Sequence, residues 1–174
     1  MDKRTYKIVT AAIVGAVYAS LTLALMPISF GVIQLRISEA LCILPFFMPC
    51  TAWGLFLGCA AANLIAGNIM DVIFGSLATL LAALASAYIG KRNHGVTGGI
   101  LACLMPVIFN AVIVGAVITV GYNGMKISEN PGIFAANCGF VALGEAGVLF
   151  IIGYPLMRWL PKKRFFTDFL AKLS

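Results

Sequence analysis

The stretch "VIQLRISEALCILPFFMP", residues 32–49, sets Arg36 and Glu39 three positions apart inside a chain that otherwise avoids charge. Of its 174 residues, 61% are hydrophobic and 10% charged, and the mean hydropathy is +1.02. A water-soluble domain of this size cannot cover such a core with so few polar side chains. The natural solvent is lipid, where every backbone amide must be satisfied inside the protein. The alternation expected of a barrel is absent, so the spanning elements are expected to be helices. The composition predicts an all-α integral membrane protein.

Working outward from that stretch, a first span is expected from about Lys7 to Met26, stopped by Pro27 and followed by a loop from Pro27 to Ile37. The stub "MDKRTYK" ahead of it is basic, but the apolar run continues without an A-x-A-like cleavage site, which favours an uncleaved span over a signal peptide. Two short apolar stretches follow, Glu39 to Pro49 and Ala52 to Ala66. At about 1.5 Å per residue neither comfortably crosses a ~30 Å core. Pro45, Pro49, Gly54 and Gly58 predict kinked or shortened helices that lean on neighbours. Beyond the polar break "GNIMD" (67–71) come spans from about Val72 to Ile89 and, after "GKRNHG", from Gly98 to Gly121, interrupted by Pro106. The loop "YNGMKISENPG" (122–132) leads to a last span, Ile133 to Trp159. The expected architecture is six transmembrane helices, two of them short or kinked, in a single membrane domain over residues 1–174.

Lysine and arginine test the orientation, because cytoplasmic loops carry their excess. Lys3, Arg4 and Lys7, then Lys91 and Arg92, then Arg158, Lys162, Lys163, Arg164 and Lys172 fall on one side of a six-span chain, and only Arg36 and Lys126 on the other. Both termini are therefore expected in the cytoplasm, with Arg36, Glu39, Asp71 and Glu129 at or near the outer face. The formal charge of +6 is explained by this flanking pattern. Nucleic-acid binding is disfavoured, since no basic patch carries interleaved aromatics.

Ionisable side chains at membrane depth are costly and usually face a cavity or a partner. Arg36 and Glu39 share a helix face if the helix has begun by then, as a mutual ion pair or as ligand contacts; if Ser38 is the N-cap, Glu39 sits in the first turn. Asp71 is either the N3 acid of a cap begun by Asn68 or a ligand group. Asn63, inside an apolar stretch, must bond another helix or a substrate. Glu145, in "FVALGEAGVLF" (140–150), is protonated, paired with a donor on another helix, or open to a polar cavity. Asn110 follows Pro106 by about one turn, and Asn137 lies two turns before Glu145. A cavity of amides and carboxylates suits a neutral or cationic ligand rich in donors. Trp53 and Tyr122 are either ring-stacking groups or interfacial anchors. In the first span Ala12, Ala16 and Ser20 form one row of small residues and Ala11, Gly15 and Ala19 the next, faces that let another helix approach closely.

Catalysis has little support. The chain has no G-x-x-x-x-G-K-[ST], G-x-S-x-G or H-E-x-x-H, and His94 stands alone in a turn. The five cysteines form no C-x-x-C pair and read as small buried hydrophobes. No enzyme activity, cofactor or metal is expected.

"LRISEALCILPFF" (35–47), "GLFLGCAAANLIAG" (54–67) and "DVIFGSLATLLAA" (71–83) resemble the QueT-type membrane proteins, S components of energy-coupling factor transporters linked to queuosine-precursor uptake. The similarity is strongest over residues 6–90. The resemblance implies a six-helix substrate-binding subunit that holds a 7-deazaguanine or queuine-like base near the outer face. It also implies docking, through a face such as Ala12 and Ala16, on a transmembrane coupling protein served by two cytoplasmic ATPases. Arg36, Glu39, Asn63, Asp71, Asn110, Asn137 and Glu145 are the candidate ligand residues by depth and chemistry. Two alternatives stand beside this: the same architecture for another vitamin-like ligand, and an autonomous proton-coupled carrier using Glu145.

Overall fold

The short stretch around Glu39 is the hub of the molecule. In the computed structural model, which describes residues 2–30 and 34–173, Ile37–Ile43 forms a 3₁₀ helix that passes into an α-turn at Leu44–Phe47. We label this combined element α2 (Ile37–Phe47). It packs against the first helix and against the three long helices that follow. Ser38, Glu39, Ala40, Cys42, Ile43, Pro45 and Phe46 are all buried. A segment too short to span alone is thus covered by protein instead of lipid, the condition under which irregular backbone is tolerated at membrane depth.

The other helices, in chain order, are α1 (Lys3–Ala24), α3 (Thr51–Ile65), α4 (Ile69–Arg92), α5 (Val96–Tyr122), α6 (Pro131–Lys162) and α7 (Arg164–Leu173). Four of them, α1, α4, α5 and α6, are long and apolar enough to cross a membrane, while α2 and α3 are shorter apolar helices. The chain is an all-helical, multi-pass membrane protein. The long helices match the expected spans to within a few residues. The expected loop Pro27 to Ile37 lies partly outside the described residues, at 31–33; its start is a single helical turn, Met26–Ser29, with Pro27 in the first-turn position that tolerates proline.

Two expectations need correction. Pro106 does not interrupt its span: α5 stays α-helical across it to Ala116. The helix loosens only later, into a π-helical stretch at Val117–Tyr122, and α6 does the same at Leu149–Gly153. The basic tail, expected merely to mark a cytoplasmic end, contains the amphipathic helix α7. Its Phe166 and Leu173 are buried against Met48, with Tyr6, Phe47 and Cys50 packed around them.

Contacts run α1 to α3, α3 to α4, α4 to α5 and α5 to α6. α1 and α3 approach each other closely. A Cβ on Gly15 would stand 2.5 Å from the carbonyl oxygen of Gly54, so any larger side chain would force the helices apart. The row Ala11, Gly15 and Ala19 is therefore spent on internal packing. The neighbouring row of Ala12, Ala16 and Ser20 stays exposed.

Candidate ligand site

Arg36 is the residue at which extended chain becomes α2. Its φ of −88° and ψ of 95° precede the first 3₁₀ turn, which its carbonyl starts by accepting the Glu39 N–H at 2.9 Å. Arg36, not Ser38, occupies the cap position, and the Ser38 hydroxyl instead meets that of Thr22 at 2.6 Å. The Arg36 side chain is 4% exposed. Its Nη2 lies 3.5 Å from Asp71 Oδ2 on α4 and donates to Asn63 Oδ1 on α3 at 3.4 Å. Its Nε donates to the Ser29 carbonyl at 3.4 Å, and the guanidinium lies over the Phe30 ring at 5.0 Å. These contacts are longer than the ~2.7–2.9 Å of a tight charge-assisted bond.

Neither local pairing considered from sequence forms. The Glu39 carboxylate does not pair with the Arg36 guanidinium; it accepts from the Tyr18 hydroxyl through Oε1 and from the Cys42 thiol at 2.9 Å through Oε2. Asn68 makes no side-chain cap bond, and the Asp71 carboxylate goes to Arg36. Asn63 satisfies its amide between helices, donating to the Asp71 backbone carbonyl at 3.0 Å. Glu145 pairs with a donor on another helix: Asn110 Nδ2 donates to its Oε1 at 2.9 Å. Arg36, Glu39, Asp71 and Glu145 are the buried acidic and basic residues among those described, and of the three acids only Asp71 contacts the Arg36 guanidinium. Glu145 interacts electrostatically with both Glu39 and Arg36.

At this end a cavity of about 430 Å³ opens between the Ser29–Phe30 turn, the start of α4, the end of α5 and α6. Its polar lining is Gln34, Asn68, Asp71, Tyr122, Asn123 and Asn137, with Phe30 and Ile118 as the apolar part. Asp71 Oδ1 and Ser29 Oγ are buried and have no hydrogen-bond partner among the described residues. Asn137 Nδ2 donates to Thr119 Oγ1 at 2.9 Å, which leaves its carbonyl oxygen as an acceptor. Buried polar groups are nearly always paired, so a carboxylate oxygen without a partner among the described residues, on a residue that lines a cavity, stands out.

Of the candidate residues, Asp71 and Asn137 line the cavity, and Arg36 and Asn63 stand behind Asp71 in direct contact with it. Glu39, Asn110 and Glu145 do not line it. They form a second buried polar layer, in which Glu145 Oε2 is also unpartnered. Sequence reasoning missed Phe30, Gln34, Asn68 and Asn123. Their signal was position alone: Asn68 lies in "GNIMD" and Asn123 in "YNG", polar turns on the same side as Asp71. Tyr122 belongs to the cavity. Trp53, by contrast, is 57% exposed on a different surface, an apolar groove of about 580 Å³ between α1 and α3 that includes Ala12, Ala16, Leu57 and Ala61.

The QueT transporter family model matches residues 8–162. The chain belongs to the QueT transporter family. It is 33% identical over 154 residues to the "Queuosine precursor transporter QueT" of Lactococcus lactis subsp. cremoris (strain MG1363), covering 85% of this chain and 88% of that protein. No solved structure matches. A QueT family chain is a membrane transporter and not an enzyme.

Proposed function

We propose that this chain is the substrate-binding S component of an energy-coupling factor importer. It is one membrane domain over residues 1–174 with six membrane helices, α2 and α3 being the short ones, and both termini in the cytoplasm. The asymmetry of lysine and arginine supports that orientation, and it turns the cavity beside Asp71 to the outside. The ligand is a queuosine precursor, a 7-deazaguanine or queuine-like base, as the name of the Lactococcus relative suggests.

The observation that carries this reading is Asp71, which lines the 430 Å³ cavity and whose buried Oδ1 has no hydrogen-bond partner among the described residues. A flat base with ring N–H and amine donors on one edge supplies what that oxygen lacks, and Asn68, Asn123 and Asn137 offer amides that both donate and accept. Tyr122 and Phe30 provide ring faces for stacking. Arg36 and Asn63 orient Asp71, while Glu39, Asn110 and Glu145 form a buried hydrogen-bonded layer away from the cavity. The exposed row Ala12 and Ala16 is the docking face for a transmembrane coupling protein, which two cytoplasmic ATPase subunits drive.

Purified chain should retain labelled queuine or its biosynthetic precursors, but neither riboflavin nor biotin; the reverse preference would assign the fold to another vitamin-like ligand. Liposomes holding this chain alone should not accumulate the base. A second reading, an autonomous proton-coupled carrier, is favoured by the buried and unpartnered Glu145 Oε2. Uptake driven by a proton gradient without ATPase partners would establish it and overturn the S-component reading.

A further inference from the structure

At the opposite end from Asp71, two aromatic side chains mark a headgroup layer. Tyr88 and Trp159 are half exposed, and each carries a cation on its face: the Arg92 guanidinium lies 4.5 Å from the Tyr88 ring and Lys163 Nζ 4.6 Å from that of Trp159. Aromatic rings with one apolar and one wet side gather at the membrane–water boundary, and so do the cations that stack on them. Between these markers lies a cleft of about 260 Å³. Phe46, Phe47 and Met157 form its apolar part, and His94, Arg158 and Lys162 its polar part.

Arg158 and Lys162 are four positions apart, which sets both on one side of the final turns of α6. Unlike Arg92 and Lys163, neither stacks on an aromatic ring, and neither forms an ion pair among the described residues, where the pairs are Arg36 with Asp71 and Lys126 with Glu129. The acids at this end are Asp2 and Asp168, against every lysine and arginine except Arg36 and Lys126. A guanidinium fork and an ammonium converging on a cleft at headgroup depth match a phosphodiester. The apolar side chains match the glycerol and first acyl carbons beneath it. The amphipathic helix α7, with Phe165 exposed and Arg164 beside it, continues the same surface.

We infer that this cleft holds the headgroup of an anionic phospholipid from the leaflet that faces both termini. The test is native mass spectrometry of the full chain released from micelles containing equal phosphatidylglycerol and phosphatidylcholine. The wild type should retain phosphatidylglycerol preferentially. R158Q/K162Q should lower that retention about thirtyfold, given about 1 kcal/mol for each cation near an anionic surface, while K126Q at the far end leaves it unchanged. Arg158→Lys, which keeps the charge and loses the fork, should fall between and serves if the double variant does not fold. Equal retention in wild type and in whichever of these two cleft variants folds would overturn the inference. So would displacement of the lipid by millimolar inorganic phosphate, which would make the cleft a soluble-anion site, and so would unchanged lipid retention with lost binding to an acidic protein partner.

Discussion

The cavity beside Asp71, set between the chain after α1 and helices α4 to α6, and the groove along Ala12 and Ala16, set between α1 and α3, are built by opposite means. The cavity gathers side chains from four places in the chain and leaves one carboxylate oxygen without a partner. The groove contains almost no polar groups; it is a row of alanines and glycines edged by Ile8, Trp53 and Leu57. Under the proposed function, polar side chains are concentrated where a small solute has to be told from others, and shape where a helix has to fit. Within a membrane the second task needs only close approach, since packing between helices replaces the hydrophobic drive.

Breaking each region should therefore give different phenotypes. The largest effect is expected for Asp71→Ala, which strands Arg36 as an uncompensated buried cation. Its unfolding free energy in detergent should fall by about 3–5 kcal/mol; an unchanged unfolding midpoint would show that the pair is not structural. Next come two neighbouring small residues on α1. Gly15→Leu inserts bulk against the Gly54 backbone, should cost about 1–3 kcal/mol or more, and should impair both binding and transport. Ala16→Trp, or Ala12→Trp, fills the open groove instead, so binding should stay within about twofold while uptake by the assembled importer stops, since the groove is where helices meet. Normal uptake in those variants would remove the groove from the docking surface. The smallest effect is expected for Glu145→Gln. Its amide oxygen can still accept from Asn110, so the fold should survive and ligand affinity should drop only about three- to tenfold, as for one altered buried hydrogen bond. A larger loss than at Asp71 would move the binding centre into the deeper layer.

Much of the helical plan was legible because long apolar runs in lipid have few alternatives: α4 needed only the break "GNIMD" before it and "KRNHG" after it. The short elements were legible as well, since Pro45 and Pro49 shorten what hydropathy alone would extend. The pairings were not. Arg36 had an acid three positions away and Asp71 a plausible cap at Asn68, and both local solutions were outcompeted by one tertiary contact between α2 and α4. No periodicity encodes that choice; it depends on α2 being a 3₁₀ helix, which turns Glu39 toward Tyr18 on α1. The amphipathic face of α7 was visible in "RFFTDFLAKL" but was masked by its basic residues. Likewise, the split of α1 into a packed row and an open row follows from Gly54 and Gly58 lying opposite Gly15, which only the assembled helices reveal.

Equilibrium binding of a queuine-type base to the purified chain, wild type against Asp71→Asn, probes the orphaned oxygen most directly. This variant keeps the size of the side chain and removes the charge that a donor edge would meet. Affinity is expected to fall about 30-fold or more, in keeping with the loss of one partner from a buried charged contact, with the chain still monodisperse. Wild-type affinity in Asp71→Asn would mean that the base is held elsewhere and that the cavity beside Asp71 is not the site.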